Sequence, residues 1–356
     1  LSMDLEEVDP VAAAGIRRGE GEAVLEVPHW VYANHLQKIK EILDAAARGD
    51  GDIVFAWAHI AKMLPFCRLV ISGHSAHIAV DPPAIQLVPH YRNAAHRLFM
   101  SASIHDGAVL IRELDCGEDA VEKVLIPEGD AGAGERMVIV PSLVNLDFST
   151  ADLISVAKSV SKEANVVVLV PSEAAAAPWV ASGGQFAGTS GVSELIARLR
   201  STNSGNIAVF AQRYDGVDLP DNACRLLILD GLPIGDSLID KADRVAFGGV
   251  LGVRAKIANR IEQGLGRAVR SSSDFCAVLL GGRELANFVS RASVLNNFSP
   301  ATVRQIEIGK LVSKELATAQ DRVRSVLDAV TQCLRRSAGW KQFYAQSMAS
   351  STSAVA

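Results

Sequence analysis

From about residue 107 onward, short apolar runs alternate with longer segments in which apolar residues recur every three or four positions. The runs are "RMVIVPS", "NVVVLVPS", "NIAVFAQ", "RLLILDG" and "FCAVLLGG", rich in β-branched residues and leucine. A strand with one wet face alternates apolar and polar residues, whereas a strand covered on both faces reads as a continuous apolar run. The pattern therefore predicts an α/β fold in which a parallel sheet is flanked by helices. Residues 1–66 read as mostly helical, and "HWVYANHLQKIKEILDAAARGD" is expected to place Trp30, Leu36, Ile39, Ile42 and Leu43 on one face before a Gly/Asp stop. Two short strands, "RLVIS" and "HIAV", follow, then the connector "DPPAIQLVPH". Past the last strand, Ser299 before Pro300 marks an N-cap and first helical residue, opening a long helical tail.

Composition narrows the class. The 356 residues are 49% apolar and 21% charged, as in globular domains that bury a core. A net charge of −5 argues against wholesale neutralisation of phosphates, although it leaves room for a local basic groove. The five cysteines stand singly, without a C-x-x-C pair, so a disulfide or zinc framework is not expected and a reducing, cytoplasmic setting is. No apolar run approaches the roughly 20 residues needed to span a bilayer, so no membrane partner is expected. All eight histidines lie between His29 and His105. "HSAH" spaces His74 and His77 like two ligands of one metal, but it follows a strand-like run and offers no third ligand, so no metal site is expected. Arg322, Arg324, Arg335 and Arg336 in the tail read as an ordinary solvated helix face rather than a nucleic-acid surface.

In an open parallel sheet, ligands gather at the carboxyl ends of the strands. "VLVPS" ends one strand at Ser172, and "VFAQRYDGVDLP" ends another with Arg213, Tyr214, Asp215, Gly216 and Asp218. "IEQGLGRAVR", with Gln263, Gly266, Arg267 and Arg270, reads as a helix and loop just before the last strand. Singly, each also fits a serine cap, a glycine turn or a surface arginine. Together and in this order they resemble the superfamily 2 helicases, and within them the DinG/XPD-like branch, over roughly residues 97–290. "FMSAS" resembles motif III, with Ser103 where threonine is usual; "NVVVLVPSEAAAAPW" resembles motif IV, "QRYDGVDLP" motif V and "QGLGRAVR" motif VI.

The resemblance implies a RecA-like lobe whose Arg267 and Arg270 reach the terminal phosphates of ATP, bound with Mg2+ mainly on another lobe. It implies that Gln263 orients the nucleotide or attacking water, and that Gly216, Asp218, Asp215 and Gly266 lie on the nucleotide side. Ser101 and Ser103 would couple nucleotide state to the lobe interface. Ser172 would contact a phosphate of single-stranded DNA, with Arg213 or Tyr214 nearby. No G-x-x-x-x-G-K-S/T phosphate loop and no Asp-Glu-Ala-His-like box occurs in these residues. The expectation is thus the C-terminal motor portion of a helicase, inactive by itself and partnered by the N-terminal ATP-binding lobe of the same protein. Residues 1–66 would be a helical, arch-like insertion, 67–106 the end of the first lobe, and 107–346 the second lobe with its tail. The four cysteines of the iron–sulfur cluster common in this branch would come from elsewhere. The alternatives are a non-catalytic nucleic-acid-binding or regulatory subunit retaining only the second lobe, and an RNA helicase.

Overall fold

Nine strands organise the chain in the computed structural model, which describes residues 2–80, 83, 85–100, 107–123, 125, 134–187, 191–214, 219–235, 237–247, 251–269 and 274–349. They are β1 (Val24–Glu26), β2 (Cys67–Ser72), β3 (Ala76–Val80), β4 (Glu135–Ile139), β5 (Val166–Val170), β6 (Gln185–Phe186), β7 (Ile207–Ala211), β8 (Leu226–Asp230) and β9 (Phe275–Gly281). The chain divides into two units: Leu1–Leu125 with Asp236–Gly249, and Ile126–Gly235 with Val250–Ala356. The chain returns to the first unit for the helix Leu238–Phe247.

In the first unit β1, β2 and β3 form an antiparallel sheet in that order. The helix Leu238–Phe247 packs on it, and Arg68 of β2 bonds both Glu26 of β1 and Asp243 of the helix at 2.7 Å. Residues 1–66 are helical as expected, apart from β1. The helix His29–Ala46 buries Val31 and Tyr32 and packs Leu36, Ile39 and Leu43 against the unit's core, whereas Trp30 is 68% and Ile42 58% exposed. The expected stripe is corrected accordingly. At 3.6 residues per turn Trp30 lies roughly 160° from Tyr32, and Ile42 roughly 80° to its flank.

In the second unit all strand pairs are parallel, in the order β4-β9-β8-β5-β7-β6. The alternation along β5 explains its unbroken apolar sequence. Val167 and Leu169 join a core with the helices Val192–Ser201, Leu251–Leu265 and Arg283–Ser290, while Val166, Val168 and Val170 join another with Thr150–Ser161, Glu173–Ala181 and Arg322–Leu334. The fold is the expected α/β architecture, a parallel sheet flanked by helices, consistent with a RecA-like lobe. The five strands read from apolar runs are β4, β5, β7, β8 and β9; the two-residue β6 adds an edge.

The Ser299 hydroxyl accepts a bond from the Thr302 amide and opens the helix Pro300–Leu316, as expected. The tail helices dock rather than extend away. Arg322 pairs with Asp152, Arg324 with Asp328, Arg335 with Glu163 and Arg336 with Glu135. Among the described residues no helix is long and apolar enough to cross a membrane.

Candidate functional site

Strand order reverses direction around β5: the chain passes from β5 to β6 and β7 on one side, then to β8 and β9 on the other. Such a switch point opens a crevice at the carboxyl ends of the central strands. Three short segments line it. After β5, Ser172 caps the helix Glu173–Ala181, its hydroxyl accepting from the Ala175 amide at 3.2 Å. After β7, Gln212 adopts φ 54°, a left-handed conformation uncommon for residues other than glycine, and its amide donates to the Val170 carbonyl at 2.9 Å. After β8, Asp230 is followed by Gly231 at φ 106°, which an L side chain would strain.

The helix Leu251–Leu265 supplies the fourth wall. Its buried face, Ile257, Ala258, Ile261 and Leu265, joins the core. On a different stripe, Arg260 and Gln263 follow at i and i+3. Arg267 lies in the turn beyond the helix, half-buried, and its Nε donates to the Tyr214 carbonyl at 3.0 Å. That bond ties the end of this helix to the segment after β7. Gly264 makes the close approach possible, since a Cβ there would sit 3.2 Å from both Tyr214 Cδ1 and Leu169 Cδ1.

Of the expected site residues, the structure brings Gln263, Arg267 and Tyr214 together. Gln263 and Tyr214 line one cavity of about 180 Å³, with Gln212, Pro233, Ile234 and Arg260. Tyr214 is 4% exposed and packs into the core while also facing this cavity. Among the described residues its hydroxyl has no hydrogen-bond partner, and burial pushes its pKa up. Arg213 is half-buried beside it, and Gly266 lies in the turn that ends the helix. Arg270, Asp215, Gly216, Asp218, Ser101 and Ser103 lie outside the described residues.

Sequence reasoning missed three neighbours. Arg260 is one; its Nη1 reaches the Pro233 carbonyl at 3.5 Å. Glu262 is another, 9% exposed and bonded to the cap of the helix Pro300–Leu316 through the Ser299 amide and the Thr302 hydroxyl. The third is Asp230, which accepts from Trp179 Nε1 at 2.9 Å and Thr150 Oγ1 at 3.4 Å. Burial raises the Asp230 pKa from its ordinary 3.8, outweighing those two bonds.

A raised carboxyl pKa means the folded state holds its proton more tightly than the unfolded state. The contribution is fully present below the ordinary value and is lost as pH rises through the folded one. Asp230→Asn, which keeps an acceptor for Trp179, is therefore expected to gain stability over the native chain as pH rises from about 4 to about 8. Urea denaturation at stepped pH reads this, and superimposable profiles would refute it.

Residues 155–300 match the family model of the helicase C-terminal domain, a stretch that holds β5 to β9 and the helix bearing Gln263. The match supports a helicase C-terminal domain, and with it nucleotide and nucleic-acid binding in general. No curated protein matches the chain.

Proposed function

We propose that the unit Ile126–Gly235 with Val250–Ala356 is the second motor lobe of an ATP-dependent DNA helicase or translocase of the DinG/XPD-like branch. The observation that carries this reading is the Arg267–Tyr214 bond. It fixes a guanidinium on the motif V loop, at the sheet edge where ligands of open α/β folds bind.

In this reading Arg267 and Arg270 grip the terminal phosphates of Mg-ATP. A planar fork can bond two phosphate oxygens at once, which a lysine's point charge cannot do. The Nε of Arg267 donates to the Tyr214 carbonyl, which anchors the side chain beside the end of β7. Gln263 orients the nucleotide or the attacking water. Asp215, Gly216, Asp218 and Gly266 form the rest of this wall, and Ser101 and Ser103 couple it to the first lobe. Mg-ATP supplies the transferable phosphoryl group and rests mainly on a phosphate loop outside these residues. Ser172, at the N-terminus of its helix, meets a phosphate of single-stranded DNA, where backbone N–H groups and the helix dipole favour an anion. Arg213 lies on the same edge.

Fluorescence anisotropy with labelled single-stranded DNA tests the reading. Binding should be indifferent to sequence, fall steeply with salt because phosphates dominate it, and weaken in Ser172→Glu. The chain by itself should release no phosphate from ATP. Failure to bind DNA at low salt, or robust hydrolysis without an added phosphate-loop lobe, would overturn it; equal-length RNA binding more tightly would redirect it to RNA.

A further inference from the structure

The 180 Å³ cavity adjoins Arg267 through Tyr214, whose carbonyl accepts from Arg267 Nε and which also lines the cavity. A triphosphate gripped at Arg267 therefore leads its sugar and base toward this cavity. This argument rests on the functional reading above and extends it to the other end of the nucleotide.

The lining suits a heterocycle better than a phosphate. Arg260 brings a flat guanidinium, steadied against the Pro233 carbonyl. Pro233 has no N–H to offer an anion. Ile234 and the Tyr214 ring make the wall apolar, and Gln212 and Gln263 add two carboxamides. A carboxamide presents both donors and an acceptor, so it can meet either kind of group on a base edge. Gly235 completes the described lining. The cavity of about 180 Å³ gives more room than one tetrahedral anion needs. Two further features mark a ligand site: the left-handed backbone of Gln212, a strain that gathers at such places, and the Tyr214 hydroxyl, 96% of its residue enclosed yet unpartnered.

We infer that this cavity receives the base of the nucleotide whose phosphates Arg267 meets, with Arg260 stacked on the ring and Gln212 and Gln263 reading its edge. Because both readers are carboxamides, the pocket accepts more than one base and sets affinity more than identity.

The test uses the full chain with ATP, adenosine and inorganic tripolyphosphate as separate probes. Saturation-transfer NMR should show the adenine ring protons of adenosine receiving magnetisation from the protein. By calorimetry, Arg260→Ala should weaken ATP about tenfold, in the range of a desolvated cation–π contact, and leave tripolyphosphate within about twofold. Arg260→Lys keeps the charge without the plane and should not restore ATP binding; circular dichroism verifies folding, with Arg260→Gln as the replacement if the alanine variant unfolds. Arg267→Ala should weaken ATP and tripolyphosphate alike. Several outcomes would overturn the inference while leaving the functional reading in place: unchanged ATP affinity in Arg260→Ala, equal loss for ATP and tripolyphosphate, rescue by lysine, or tripolyphosphate binding through Arg267 with no adenosine binding. If none of the three probes binds, the inference falls, while the functional reading, which rests Mg-ATP mainly on another lobe, is decided by its DNA-binding test.

Discussion

Arg267→Ala will abolish ATP turnover in an assembly that supplies the phosphate loop, whether that lobe is fused to the chain or added to it. An arginine acting on the transferring phosphoryl group is worth about 10³–10⁵ in rate, or about 4–7 kcal/mol of barrier at about 1.4 kcal/mol per decade. Loss of the Arg267 Nε bond to the Tyr214 carbonyl would cost the fold at most about 1.5–3 kcal/mol, the range for a bond from a charged group. The larger number decides between the two roles. Steady-state phosphate release with single-stranded DNA present, paired with a urea melt of the same variant, separates them. A loss of rate below about tenfold would assign Arg267 to holding the motif V loop alone, since that much corresponds to about 1.4 kcal/mol. Arg267→Lys should recover little, because a point charge does not reproduce the fork.

Glu262→Ala is expected to be the most destabilising single change near the site. Its carboxylate accepts from the Ser299 amide at 3.1 and 3.2 Å, from the Ser299 hydroxyl, and from the Thr302 hydroxyl at 2.9 Å. Behind Thr302 stands Arg136, 5% exposed, with Nη1 at 3.5 Å from the Thr302 hydroxyl and Nε without a hydrogen-bond partner. Burial lowers the Arg136 pKa, opposed first by Tyr344 and then by Glu262. Removing the carboxylate leaves the Ser299 amide and hydroxyl and the Thr302 hydroxyl without this acceptor, and each buried group left unsatisfied costs about 1–3 kcal/mol. Denaturant unfolding followed by tryptophan fluorescence, to which the buried Trp179 and Trp340 contribute, measures it. Glu262→Gln, which keeps the acceptor oxygen, should cost less. A loss below about 1 kcal/mol for the alanine variant would show that the Ser299 and Thr302 donors find other acceptors.

The legible parts of this chain are those whose signal is local. β5 was readable because both of its faces are covered, so no polar residue interrupts "VVVLV". The start of the helix Pro300–Leu316 was readable because an N-cap serine followed by proline acts within one turn. The helix end that carries Gln263 and Arg267 drew notice through the spacing of "QGLGRAVR". The unread parts depend on partners far along the chain. Glu262 meets Ser299 from 37 residues away, and Trp179 meets Asp230 from 51. Nothing beside Glu262 or Asp230 distinguishes it from a solvated acid. β6 has two residues and no period to detect. Trp30 and Ile42 were misplaced because an apolar residue is not thereby an inward one, and a helix on a small unit can leave large side chains in water.

The excursion of Leu238–Phe247 bears on how this polypeptide can be dissected. Because the backbone leaves the parallel-sheet unit and comes back within fifteen residues, no single scissile point yields two self-contained pieces. A fragment beginning at residue 126 would keep Asp243, 6% exposed in the intact chain, but lose Arg68 and the strand it docks on. Whoever prepares the sheet unit in isolation should splice a short bridge from Gly235 to Val250 rather than merely trim the amino terminus.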